Sequence, residues 1–145
     1  MTAVRILAAL VIAAFTASAA YACGHCIEDR MAAVYDHAVL TRASAARHKV
    51  AFFAVLGTVP PDYATAQAIR REVEQVPGVN RNSVRYSSEL ASLSLSFDPG
   101  AVRYAALERA LNTALAGRGL KLGLINIVDR PSQIRAGRSD TAAAR

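Results

Sequence analysis

Apolar residues recur along this chain with two alternating periods, and their order predicts its elements. From Ile27 to Ala46 the period is helical: Ile27, Met31, Val34 and Ala38 stand four, three and four residues apart and share one face. Arg47-His48-Lys49 breaks that run. "VAFFAVLG" follows at 50–57, an apolar stretch of strand length, rich in aromatic and β-branched residues and closed by Gly57. Pro60-Pro61 can open a helix but not continue one. Ala66, Ile69, Val73 and Val76 then form a helical stripe that Pro77-Gly78 stops. Two strands come next: Val84 and Tyr86 alternate with polar residues, and Leu93, Leu95 and Phe97 alternate with serines. Asp98-Pro99-Gly100 reads as a turn. Residues 101–119 read as a helix with Tyr104, Leu107, Leu111 and Ala114 inward and Gly117 or Gly119 at its end. "KLGLINIV" at 121–128 is the last strand, and 130–145, without periodicity, reads as a disordered tail.

A helix followed by β-α-β-β-α-β predicts an α+β protein: a ferredoxin-like antiparallel sandwich with an extra N-terminal helix. In "VAFFAVL" and "LGLINIV" both alternating sets are largely apolar, so both strands are expected to be buried on both faces. The first and last strands are neighbours in such a sheet. One helix over about residues 26–46, about 30 Å long at 1.5 Å per residue, is therefore expected to cover the second face over those two strands. It would leave the Ser92, Ser94 and Ser96 half exposed. The alternative cover is a second subunit, making a homodimer. A short link to the first strand favours an antiparallel return, with the helix start beside the loop at 57–63.

Ahead of these elements, residues 1–22 carry Arg5, then "ILAALVIAAF", then Ala20-Tyr21-Ala22. A basic start, a short apolar run and an A-x-A ending describe a secretory signal peptide. The run is shorter than the about 20 apolar residues of a membrane span. Cleavage after Ala22 places the mature protein in the periplasm or outside the cell and makes Cys23 its first residue. A lipoprotein signal would also put a cysteine there, but with a leucine-like residue where this chain has Ala20. The mature 123 residues suit one small domain. The chain's net charge of +6 falls to +5 when Arg5 is removed. No basic run is interleaved with aromatics, so nucleic acid is not an expected partner.

Two further stretches carry a family resemblance: "VPGV" at 76–79, ending the first sheet-covering helix, and "SLSLSFDPGAV" at 92–102, a strand with an "FDP" turn. With the order and length of the elements, they make Lys49 to Val128 similar to a heavy-metal-associated domain, the fold of small copper chaperones and of modules on metal-pumping ATPases. The resemblance implies a metal ion as ligand. It implies a membrane metal transporter or another periplasmic metal protein as partner. It also implies M-x-C-x-x-C in the loop after the first strand. Here that loop runs from Leu56 through Gly57, Thr58, Val59, Pro60, Pro61 and Asp62 to Tyr63, with neither cysteine nor methionine. No metal residue carries over to it.

The chain's two cysteines stand instead in Cys23-Gly24-His25-Cys26. Thiols three residues apart at a helix start can present both sulfurs to one point. The helix N-terminus and a protonated His25 favour thiolate there. Two thiolates suit copper as Cu(I), or zinc with further ligands, and imidazole suits either. Cys23, Cys26 and His25 are thus the candidate metal ligands. His37, eleven residues past Cys26, would lie about 16 Å along one straight helix, so it and the boundary residue His48 read as partly buried structural histidines. "CGHC" also matches the tetrapeptide of disulfide isomerases, but in that fold the motif follows a strand, and here only the leader precedes it. A thiol–disulfide redox pair and an inert disulfide remain the alternatives. No paired-carboxylate motif, G-x-S-x-G, phosphate loop or H-E-x-x-H is present, so a binding protein is expected rather than an enzyme.

Overall fold

The structure, a computed structural model, describes residues 22–131, with side chains described from Ile27 onward. Residues 1–21, nearly all of the expected signal peptide at 1–22, and residues 132–145, most of the expected disordered tail at 130–145, lie outside the described residues. Eight elements follow one another: α1 (Ala22–Ala33), α2 (His37–Ala45), β1 (Lys49–Leu56), α3 (Tyr63–Glu74), β2 (Arg85–Ser87), β3 (Ser92–Phe97), α4 (Tyr104–Ala116) and β4 (Lys121–Val128). The strands make one antiparallel sheet in the order β2-β3-β1-β4. This is the ferredoxin-like arrangement that the periodicity predicts.

Register sorts the side chains into two cores. Phe53 stands opposite Leu93, and Phe52 opposite Ser94. Ala51, Phe53 and Val55 face α3 and α4, where Ile69, Val73, Leu107, Leu111 and Leu115 close the main core with Leu93, Leu95 and Phe97. The inward stripe of α4 is thus Leu107, Leu111, Leu115, with Ala114 only half-buried at its edge. On the other face Val50, Phe52 and Val128 meet Val34, Val39, Leu40 and Ala43. A sheet sandwiched in this way accounts for apolar residues in both alternating sets of β1; the edge strand β4, expected to be covered on both faces as well, is not, for Leu124 is 44% exposed and Asn126 is exposed.

Turns fix how α3 is held. Asp62, in extended backbone, caps it by accepting the Thr65 N–H at 2.8 Å. At its far end Gly78 has φ +94°, and a Cβ there would stand 2.4 Å from Val102 Cγ1, so only glycine fits the turn. Arg118 grips Glu72 with two nitrogens at 2.6 and 2.8 Å, tying α3 to the link before β4.

Two expectations about the N-terminal helix need correction. It is not one helix but two, because Asp36 interrupts it. Asp36 has φ −134° and ψ 110°, extended rather than helical, and its Oδ1 accepts the Val39 N–H at 3.0 Å. Capping by a carboxylate starts a new helix there, and the turn between lets Val34 sink onto the sheet. Nor is the serine half of the sheet open. Both helices lie against β1 and β3, and Ser92, Ser94 and Ser96 are 0, 2 and 4% exposed. Burial of hydroxyls is tolerable where they find partners. Ser94 Oγ donates to the Val34 carbonyl at 2.6 Å, and Ser96 Oγ accepts from Asn80 Nδ2 at 2.8 Å. Ser92 Oγ has no partner among the described residues.

Candidate metal centre

The backbone of α1 begins at Ala22, so Cys23, His25 and Cys26 all fall in its first turns. Positions three apart on a helix are neighbours on its surface, with Cβ atoms about 5–6 Å apart. No acidic residue stands in this first turn, and Glu28 and Asp29 further along are exposed. The side chains of Cys23, His25 and Cys26 lie outside the described ones, so the candidate ligand set is defined here by its backbone only. The expectation that it sits beside the 57–63 loop rested on one uninterrupted helix, and the break at Asp36 removes that premise.

The loop after β1 is built for a structural task. Gly57 has φ +119°, and a Cβ there would approach the Gly119 carbonyl oxygen to 2.7 Å. The loop therefore presses directly on the α4–β4 link. Val59 packs against the main core, and Asp62 spends both carboxylate oxygens on Thr65, whose hydroxyl lies 2.7 Å from Oδ2. The Thr65 hydroxyl and N–H hold the Asp62 carboxyl below its ordinary value. Leu56 and Tyr63 flank the loop, 49 and 79% exposed. Among the described residues no three histidine, cysteine, aspartate or glutamate side chains gather where a metal ion could be held.

The two histidines beyond the motif have local roles. His37 opens α2 rather than lying on α1, and it is exposed, not partly buried; its Nδ1 is 3.3 Å from Tyr35 OH and its Nε2 3.5 Å from Thr41 Oγ1. His48 is half-buried, as expected for the boundary. Its Nδ1 lies 2.9 Å from Asn80 Nδ2, and its Nε2 lies 3.8 Å from Asp98 Oδ2. An amide donating to Nδ1 leaves the proton on Nε2, directed at Asp98. The same amide nitrogen donates to Ser96, so Asn80 ties β1's entry to β3.

What the sequence pattern passed over is the pair at the helix break. Arg85, on β2, reaches Asp36 with Nε at 2.8 Å and Nη2 at 2.7 Å from the same Oδ2. The Val39 N–H, aided by the Arg85 guanidinium, holds the Asp36 carboxyl below its ordinary value. The sign was there in Asp36-His37-Ala38-Val39, an N-cap residue ahead of a helical stripe.

No protein-family model matches this chain, and no curated protein sequence matches it. Solved structures do. Oxidised MerP from Ralstonia metallidurans CH34 is 18% identical over 53% of this chain and 96% of its own, with a TM-score of 0.42. A copper-binding domain from HMA7, a P-type ATPase, is 15% identical over 55% of this chain and 96% of its own, at 0.43. The N-terminal domain of a potential copper-translocating P-type ATPase from Bacillus subtilis, solved in the Cu(I)-loaded state, is 21% identical over 57% and 92%, at 0.43. Chemistry does not travel with likeness of this degree, since function lives in sites grafted on folds.

Proposed function

We propose that this chain is an exported metal-binding protein that takes a soft ion on Cys23 and Cys26, with His25 as a third donor. The favoured ion is Cu(I), with zinc the alternative. The protein transfers, buffers or senses the ion in the periplasm or outside the cell, in exchange with a membrane metal transporter or another periplasmic metal protein. One observation carries this reading: the helix Ala22–Ala33 includes both thiols of the chain at i and i+3, positions that share one face, and cleavage after Ala22 would set them at its N-terminus. That position favours the thiolates a soft ion needs. The resemblance of 49–128 to metal-handling domains supports the same class of ligand, while its own loop offers none.

The test is a competition titration. Reduced chain, freed of its leader, is titrated with Cu(I) against a chromophoric chelator. One ion should be withdrawn per chain, and Cys26→Ser should lose most of the affinity, because a lone thiolate leaves no soft donor pair. Equal binding by parent and variant would remove the thiols from the site. Catalytic reduction of insulin disulfides, with indifference to copper, would establish the redox alternative instead.

A further inference from the structure

The apolar content of α1 does not explain why it lies on the sheet. Among its described side chains Ile27, Glu28, Asp29, Ala32 and Ala33 are exposed, Arg30 and Met31 are half-buried, and none is buried. A helix of 12 residues is marginal alone in water, and tertiary packing normally supplies what is missing. Among the described side chains of α1, only Met31 reaches the rim of the second core.

The anchorage is concentrated just past the helix's C-terminal end. Val34 is 2% exposed. Its carbonyl accepts the Ser94 hydroxyl at 2.6 Å. Two residues on, Asp36 holds the Arg85 guanidinium through Oδ2 while its Oδ1 caps α2. Arg85 is itself braced, its Nη1 donating to the Val84 and Asn82 carbonyls at 2.9 and 3.2 Å. Arg85 and Ser94 are direct cross-strand partners of β2 and β3. One rung of the sheet thus supplies both polar holds on the segment between the helices.

We infer that Arg85 and Ser94 are positioning residues: their rung clamps the chain at Val34 and Asp36 and so keeps the thiol-bearing helix folded and laid on β1 and β3. The consequence for metal handling rests on the function proposed above; the clamp itself does not. Without it α1 would be a marginal helix tethered at one end, and Cys23 and Cys26 would lose the helical spacing that sets them on one face.

Amide hydrogen exchange on the full, reduced, metal-free chain tests the clamp. Asp36→Asn keeps a capping side chain for α2 but gives up the ion pair. Arg85→Met removes the fork, and Arg85→Lys keeps the charge without it. In Asp36→Asn and Arg85→Met, amides of 27–33 should exchange about five-fold faster or more, the scale of one charge-assisted hydrogen bond. Arg85→Lys should fall between those variants and the parent. The double variant should be no faster than the faster single one, since both remove one interaction. Amides of α3 and α4 should keep their parent rates. Unchanged exchange at 27–33, or equal acceleration of α1, α3 and α4, would overturn the inference. If Arg85→Met does not fold, Asp36→Asn and Arg85→Lys decide the matter. Because no metal is present, a chain that failed to bind Cu(I) would defeat the proposed function and leave this result intact.

Discussion

Phe52 is the residue on which the second core turns, and replacing it by alanine measures whether α1 and α2 really close that face. Its ring is fully buried, between Ser94 on one neighbouring strand and Asn126 on the other, and it clusters with Val39, Leu40 and Ala43 of α2. Phe→Ala in a packed core costs about 3–5 kcal/mol, more where the walls cannot collapse into the void. The helices above Phe52 are held by the Asp36–Arg85 pair and by Ser94, so collapse is restrained. We expect a loss of about 3–4 kcal/mol. The adjacent Phe53, buried in the main core, is the internal standard. Urea unfolding followed by far-ultraviolet circular dichroism gives both values, at two protein concentrations. A helix-covered face predicts similar costs for Phe52→Ala and Phe53→Ala and midpoints independent of concentration. A cost for Phe52→Ala below about 1 kcal/mol, with the full cost at Phe53, would mean the face is open and refute the packing. A midpoint that rises with concentration would instead assign the cover to a second copy.

Gly78→Ala should lose about 2–3 kcal/mol of stability in the same assay, from the strained φ and from the Val102 methyl that its Cβ would meet; Gly117→Ala, with nothing within 4 Å, should be harmless or slightly stabilising. Ser92→Ala should leave stability unchanged or raise it by up to about 1 kcal/mol, because the hydroxyl is buried without a partner among the described residues, whereas Ser94→Ala should cost about 1–2 kcal/mol by stranding the Val34 carbonyl. The Arg118 side chain holds Glu72 below 4.5, so this pair's contribution is present above pH 4.5 and lost as the pH falls through the lowered value; urea midpoints measured from pH 7 to 3 should fall less steeply for Glu72→Gln. Burial and then Glu108 push Tyr104 up to about 12, so its contribution is intact below pH 10 and lost as the pH rises toward 12; ultraviolet titration should lose its latest-ionising tyrosine in Tyr104→Phe.

The periods of hydrophobicity carried most of the fold. Alternation in 92–97 assigned Leu93, Leu95 and Phe97 to one face and the serines to the other, and two-sided apolar character marked β1 as covered twice. These properties are local, because side-chain direction in a strand or helix follows from sequence position alone. Whether the serine face is wet or dry is not local. It depends on how far α1 and α2 extend across β3, and so on the point where Asp36 breaks the helix and on Arg85, 49 residues away, which secures it. A stripe of apolar residues keeps nearly the same spacing through a break, which hid the interruption from the periodicity. The candidate site divides in the same way. Residue types, the i and i+3 spacing of Cys23 and Cys26, and the absence of soft ligands between Leu56 and Tyr63 are matters of sequence. That the thiols ride on a helix which buries almost none of its described side chains, and is held from one rung of the sheet, only tertiary structure decides, because the bonds that hold it join residues far apart in the chain.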